Sequence, residues 1–176
     1  PQTSLDFIHS FGDDKSVSII DIGGGDSHLV DCLLDEGYTN ITVLDISLNA
    51  LERAKSRLGE RAKDVHWIVS DVTEFNPDIS YDIWHDRAAF HFLTEAADIQ
   101  YYLDLVGRTV KKNMVIGTFS DKGPLKCSGL TISQYSDTEL QQRFEQKFDA
   151  ISCLNVDHNT PFDTTQNFTF CSFAKR

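Results

Sequence analysis

The sequence predicts an α/β fold, an open twisted sheet of seven strands, mainly parallel with an antiparallel last strand, and helices on both faces. Three observations carry that prediction. Short, nearly all-apolar runs alternate with helical periodicities, the signature of a parallel sheet covered on both sides. Successive runs close on a polar side chain, at Asp21, Asp45, Asp71 and His85. The final two runs, 151–158 and 167–173, are joined so briefly that they must pair antiparallel. A chain of 176 residues with 40% hydrophobic content suits a single domain, 1–176, with one proper core, and no repeat divides it.

Each element has a local reason. Ser4 reads as the N-cap of a first helix on which Leu5, Ile8 and Phe11 recur until Gly12 breaks the pattern. A β-branched run from Ser16 to Ile22 is the first strand. After Gly23, Gly24 and Gly25, the residues Leu29, Val30, Leu33 and Leu34 mark one face of a helix ended by Gly37. The run from Ile41 to Leu44 is too short for a helix and closes on Asp45. From Ser47 a helix carries Leu48, Leu51, Ala54 and Leu58, stopping at Gly59. VHWIVSD (65–71) and YDIWH (81–85) are the third and fourth strands. Thr94 reads as the cap of a helix bearing Ile99, Tyr102, Leu103 and Val106, and a fifth strand covers 114–119. A Gly- and Ser-bearing loop through Gly123, Pro124 and Gly129 leads to a capping box at Ser136 and Glu139. The last two strands turn around Pro161, and Phe168, Phe170 and Phe173 read as core.

Composition excludes several classes of function. With 16 Lys+Arg against 27 Asp+Glu, the net charge of −11 repels phosphate polymers and disfavours nonspecific nucleic-acid binding. No apolar run approaches the roughly 20 residues that cross a bilayer, and no signal-peptide pattern opens the chain, so a cytoplasmic location is expected. Cys32, Cys127, Cys153 and Cys171 form no CxxC pair and sit mostly in apolar runs, which points to reduced, buried thiols. His85, His91 and Cys127 match no recurrent zinc spacing, so no metal is expected. The chain opens on Pro1 rather than Met, and an upstream segment is expected to be missing.

The chemistry gathers at one rim. In an open α/β sheet, ligands bind beyond the carboxyl ends of the strands, where Asp21, Asp45, Asp71 and His85 converge. The glycine triplet lets the backbone turn tightly and lets a ligand come close, which makes the sheet Rossmann-like. Asp45 stands 20 residues after Gly25, where an acid accepts both ribose hydroxyls of an adenosine-type ligand. A dinucleotide loop would carry a third glycine where His28 stands. Asp21 and Asp26 also flank the turn, and a helix N-terminus that binds pyrophosphate is better free of such charge. These acids suit a ligand with cationic groups, such as the sulfonium and ammonium of S-adenosylmethionine, over NAD.

DIGGGDS, the VLD ending at Asp45, SDV at 70–72 and YDIWH at 81–85 resemble, in order, the signature motifs of class I S-adenosylmethionine-dependent methyltransferases. HDRAAFHFLT and GPLKCSGL further resemble a small bacterial-type group whose substrate is unassigned. The resemblance spans essentially the whole chain. It implies that Gly23, Gly24 and Gly25 pass under the methionine part of the cofactor and that Asp21 orients the loop or the amino group. It further implies that Asp45 holds the ribose and Ile46 packs on the adenine. Asp71 and Val72 would face the adenine amine and ring, and the His85 carbonyl would take the ammonium. Ser27 departs from the third glycine of the DxGxGxG pattern. Family members also carry an N-terminal segment that closes over the cofactor, and this chain is expected to begin after it.

For the acceptor, the position of an NPPY-like turn reads His85-Asp86-Arg87-Ala88, which disfavours a base-amino methylase. His85, Asp86 and His91 are candidate bases or acceptor-orienting groups, and Arg87 a candidate for holding an anionic substrate. An Asp86–Arg87 ion pair that braces the loop is the competing explanation. The expected activity is methyl transfer to a small-molecule or protein side-chain acceptor. The alternatives are a catalytically silent cofactor-binding sensor or partner subunit and, more remotely, an NAD-dependent oxidoreductase.

Overall fold

The computed structural model describes residues 1–159 and 165–176. The chain runs α1 (Gln2–Ser10), β1 (Ile19–Ile22), α2 (Leu29–Asp35), β2 (Ile41–Asp45), α3 (Leu48–Leu58), β3 (Val65–Val69) and β4 (Tyr81–Arg87). It continues through α4 (Ala96–Thr109), β5 (Val110–Phe119), the short strands β6 (Lys126–Cys127) and β7 (Leu130–Thr131), α5 (Asp137–Phe144), β8 (Phe148–Asn159) and β9 (Thr165–Lys175). Seven strands form one sheet in the order β3-β2-β1-β4-β5-β9-β8. β1 to β5 pair in parallel, and β9 is antiparallel to both its neighbours, so β8 points the same way as the first five. The order reverses between β1 and β4, which opens the crevice at their carboxyl ends.

Period-two alternation along the strands assigns each side chain to a layer. Ile19, Val43 and Ile83 pack with Ile8 of α1, Leu33 of α2 and Leu51 of α3. Ile20, Trp84, Met114 and Phe173 pack on the opposite face with Tyr102 of α4 and Phe144 of α5. A third cluster joins Phe7 of α1 to Phe119, Phe168 and Phe170. Along β4 the same alternation turns His85 and Arg87 toward α1, and Trp84 and Asp86 toward α4.

Several boundaries differ from the local expectation, each for a tertiary reason. Ser4 is not the N-cap, since α1 begins at Gln2 and Ser4 lies inside it, 2% exposed, with its hydroxyl on His85. Thr94 is not a cap either, since α4 follows Glu95, which makes no side-chain capping bond. Ser47 does cap α3, accepting from Ala50 N at 3.2 Å, and both bonds of the Ser136 capping box are present. Within the loop after β5, residues 126–127 and 130–131 pair as a small hairpin. The expected turn around Pro161 lies outside the described residues.

The cysteine expectation is corrected. Cys153 and Cys171 are joined as a disulfide, leaving Cys32 and Cys127 as free thiols. Antiparallel pairing of β8 and β9 puts the two residues directly opposite, with Cα atoms 4.1 Å apart, although they are 18 residues apart in sequence. Spacing alone does not reveal that register.

Candidate functional site

The glycine turn is shaped by two carboxylates beneath it. Gly23 takes φ +69, and a Cβ there would sit 3.2 Å from Ala89 Cβ. A Cβ on Gly24 would lie 2.3 Å from Asp21 Oδ2, and one on Gly25 would lie 2.6 Å from Ala50 Cβ and 2.8 Å from Asp45 Oδ2. Gly23 borders the open cleft, whereas the bare face of Gly24 is filled by Asp21 and that of Gly25 by Ala50 and Asp45. The Gly25 N–H donates to Asp45 Oδ2 at 2.9 Å and the Ser47 N–H to Asp45 Oδ1 at 2.8 Å. Each carboxylate oxygen accepts two hydrogen bonds, so Asp45 keeps one further position on each oxygen.

The cleft beside this turn encloses about 490 Å³. Its walls come from the carboxyl ends of β1 and β2 (Gly23, Asp45, Ile46) and from the segment after β3 (Asp71, Val72). The segment after β4 (Ala88, Ala89, Phe92, Leu93), Asp98 of α4 and Leu130 of β7 complete them. Ile46 is 68% exposed, an apolar side chain held at the rim. Asp71 Oδ1 accepts from the N–H and hydroxyl of Thr73, at 2.9 and 2.8 Å. Three carboxylates and, among the described residues, no Lys, Arg or His line this space. That lining suits a cationic ligand that carries no phosphate. Asp26, the other acid near the turn, is exposed and paired bidentately with Arg53 at 2.9 and 2.7 Å, so it adds little charge to the site. Ser27, in the place of a further glycine, accepts from the Leu29 N–H at 3.0 Å at the start of α2.

The expected acceptor-side residues divide between the two faces of the sheet. On the α1 face, Ser4, Asp21 and His85 are each 2% exposed and bonded in a row. His85 Nδ1 donates to Asp21 Oδ1 at 2.6 Å, and His85 Nε2 is hydrogen-bonded to the Ser4 hydroxyl at 2.8 Å. The second oxygen of Asp21, Oδ2, is buried under Gly24 without a hydrogen-bond partner among the described residues. On the α4 face, Asp86 is fully buried. Its Oδ1 accepts from the Ala89 and Phe90 N–H groups at 2.9 and 3.1 Å, and its Oδ2 accepts from the Tyr102 hydroxyl at 2.6 Å. The Trp84 indole in turn donates to Tyr102 at 2.9 Å. Burial pushes the Asp86 carboxyl up to about 6, against the pull of these donors.

Asp86 thus braces the turn after β4, but through Tyr102 and two backbone donors, not through Arg87, because alternation sends those two side chains to opposite faces. His91 is fully buried and burial lowers its pKa to about 4. Its Nδ1 accepts from the Phe119 N–H at 3.2 Å, so the neutral ring carries its proton on Nε2. The side chains of His85, Asp86 and His91 do not line the cleft, whereas Gly23, Asp45, Ile46, Asp71 and Val72 do. Sequence reasoning passed over Ala88, Ala89, Phe92 and Leu93 as wall residues, although their place just beyond β4 signals it. Nothing local marks Asp98 or Leu130.

A sequence profile of the methyltransferase domain matches residues 19–113, just over half of the chain. Malonyl-[acyl-carrier protein] O-methyltransferase 1 of Ilyobacter polytropus is 31% identical over 90 residues, 51% of this chain and 32% of that protein. Malonyl-[acyl-carrier protein] O-methyltransferase of Anoxybacillus flavithermus is 31% identical over 108 residues, 60% of this chain and 40% of that protein. The chain therefore spans less than half the length of these curated relatives. Among solved structures, the N-methyltransferase NodS from Bradyrhizobium japonicum superposes with a TM-score of 0.78 at 17% identity, covering 99% of this chain and 93% of that one. The 1,6-didemethyltoxoflavin-N1-methyltransferase of Burkholderia thailandensis, solved with S-adenosylhomocysteine, gives 0.77 at 16% identity, covering 99% and 77%. At those identities the structural likeness is one of fold. Together with the glycine turn and the acid-lined cleft, the profile match shows that the chain belongs to the methyltransferase-domain family, within the class I S-adenosylmethionine-dependent methyltransferases.

Proposed function

We propose that the protein transfers a methyl group from S-adenosylmethionine to a small-molecule or protein side-chain acceptor. One observation carries this reading, the cleft at the carboxyl ends of β1 and β2, lined by Asp45, Asp71 and Asp98 and by no cationic side chain among the described residues. When bound, S-adenosylmethionine supplies a methyl group activated on a sulfonium. Asp45 accepts from the ribose hydroxyls with the positions that Gly25 and Ser47 leave open. Ile46 and Val72 cover the adenine, and Asp71 accepts from its amine. Gly23 admits the methionine part, and Asp21, fixed by His85, holds the turn from below. Asp86 acts by positioning, since its bonds to Ala89 and Phe90 set the wall that meets the acceptor. His91, neutral above about pH 4, does not serve as a charged group in that wall.

The relatives support a methyl acceptor without fixing its atom, since the curated ones are named as O-methyltransferases and the structural neighbours as N-methyltransferases. Isothermal titration of the full-length protein with S-adenosylhomocysteine tests the reading. Saturable binding that NAD does not displace, weakened at least about tenfold by Asp45→Ala, is expected. Absence of binding would sink it. Labelled methyl transfer into fractionated cell extract, abolished by Asp45→Ala, separates an enzyme from a sensor, which would bind without transfer.

A further inference from the structure

A second cavity, of about 250 Å³, lies on the α1 face of the sheet. It is bounded by the first turn of α1 including Ser4, by Arg87 at the end of β4, by Asp157 and His158 of β8, and by Phe168 and Phe170 of β9. Arg87 is half-buried, and its guanidinium stacks 5.3 Å from the centre of the Phe168 ring. Stacking covers a face of the guanidinium and leaves its five N–H donors at the edge, yet the Arg87 side chain makes no hydrogen bond or ion pair among the described residues. A guanidinium edge that faces a cavity with no protein acceptor is open to an anionic ligand.

Neither nearby acid is paired with the Arg87 guanidinium. Asp21, whose field Arg87 feels, is bonded to His85, and Asp157 accepts from Asn167 Nδ2 at 2.7 Å. His158, the other titratable side chain on the wall, is held toward its neutral form by burial and by the charge of Arg87. The neighbouring Ala88 takes φ +66, a left-handed conformation that a side chain adopts only under strain. Consecutive residues of that turn border the two cavities, Arg87 this one and Ala88 the acid-lined cleft.

We infer that this second cavity is an acceptor subsite for a small carboxylic acid, with Arg87 gripping the carboxylate and Phe168 and Phe170 packing its apolar body. The inference rests on the methyltransferase reading for the word acceptor, but not for the binding itself. A carboxylate matches the planar fork of a guanidinium in two parallel hydrogen bonds. The volume admits a small acid.

The probe is phenylacetate, titrated calorimetrically into the full chain with and without S-adenosylhomocysteine, beside its neutral isostere phenylacetamide. Saturable binding of phenylacetate is expected, weaker by on the order of 10- to 100-fold in Arg87→Gln and partly restored in Arg87→Lys, with phenylacetamide bound no better by wild type than by Arg87→Gln. Affinity for S-adenosylhomocysteine should stay within about twofold in both variants, which also reports that they fold. Equal phenylacetate affinity in wild type and Arg87→Gln, or no binding to wild type, overturns the subsite. Failure of wild type to bind S-adenosylhomocysteine counts against the methyltransferase reading instead, and the titration without nucleotide still decides the subsite.

Discussion

Alanine at position 24 would set a carbon 2.3 Å from Asp21 Oδ2, 2.7 Å from Asp21 Cγ and 3.1 Å from Val43 Cγ1. The first contact is roughly 1 Å inside ordinary separation. Asp21 has no room to swing away, because His85 holds its other oxygen at 2.6 Å and Ser4 holds His85 at 2.8 Å, all in the interior. The turn must therefore lift, taking Gly25 off Asp45, where the N–H bond is now 2.9 Å. Overpacking of this kind costs about 1–3 kcal/mol of stability. Losing the alignment of a charged acceptor weakens ligand binding by on the order of 10- to 100-fold. Titration with S-adenosylhomocysteine, alongside urea unfolding, reads both. Gly37→Ala is the control, since its Cβ meets nothing within 4 Å at φ +87. It should cost about 1–2 kcal/mol of backbone strain and leave affinity unchanged. Wild-type affinity in Gly24→Ala would refute the argument that Asp21 sets the height of the turn.

Tyr102→Phe strips a buried Trp84 N–H of its acceptor and Asp86 of its hydroxyl donor, for an expected loss of about 2–4 kcal/mol in urea unfolding at pH 7. A loss under about 0.5 kcal/mol would mean that the network does not brace the wall. Two buried groups give opposing pH dependences. His91 titrates at about 4 folded and 6.5 unfolded, so stability falls as pH drops through that window, by up to about 3 kcal/mol. Asp86 titrates at about 6 folded and 3.8 unfolded, so its contribution is fully present below 3.8 and is lost as pH rises through about 6, by a similar amount. Between pH 6 and 4 the two nearly cancel. His91→Phe should therefore gain stability relative to pH 6 as pH falls, and Asp86→Asn should lose it; parallel profiles in chemical denaturation would exclude this assignment. Thiol titration of the unfolded, unreduced chain should count Cys32 and Cys127 alone, and a count that includes Cys153 and Cys171 would exclude the cross-strand bond.

The sheet was legible because burial on both faces forces nearly continuous apolar runs, and five of them stand between helical periods. Asp45 and Asp71 were legible as rim residues for the same reason, since each follows the last apolar residue of a strand. The acceptor side was less so. Asp86 and Arg87 are neighbours in sequence and suggest an ion pair, but a strand points adjacent side chains to opposite layers, and each finds its surroundings on a different face. Ser4 looks like a cap by its distance from Leu5 and Ile8. Its hydroxyl is used instead by a histidine 81 residues away. Local propensity carries no information about such a partner.

Sequence alone determined what repeats along the chain: the alternation of strands and helices, the acids at the strand ends, and a glycine turn whose flanking acids favour a cationic ligand over a phosphate-rich one. These follow from periodicity and from chemistry within a few residues. Tertiary structure alone decided what fills the bare faces of Gly24 and Gly25, which cysteines meet across β8 and β9, and which strand face each acceptor candidate occupies. Each depends on register between segments far apart in the chain. Register is set by packing the whole core, which no short stretch of sequence encodes.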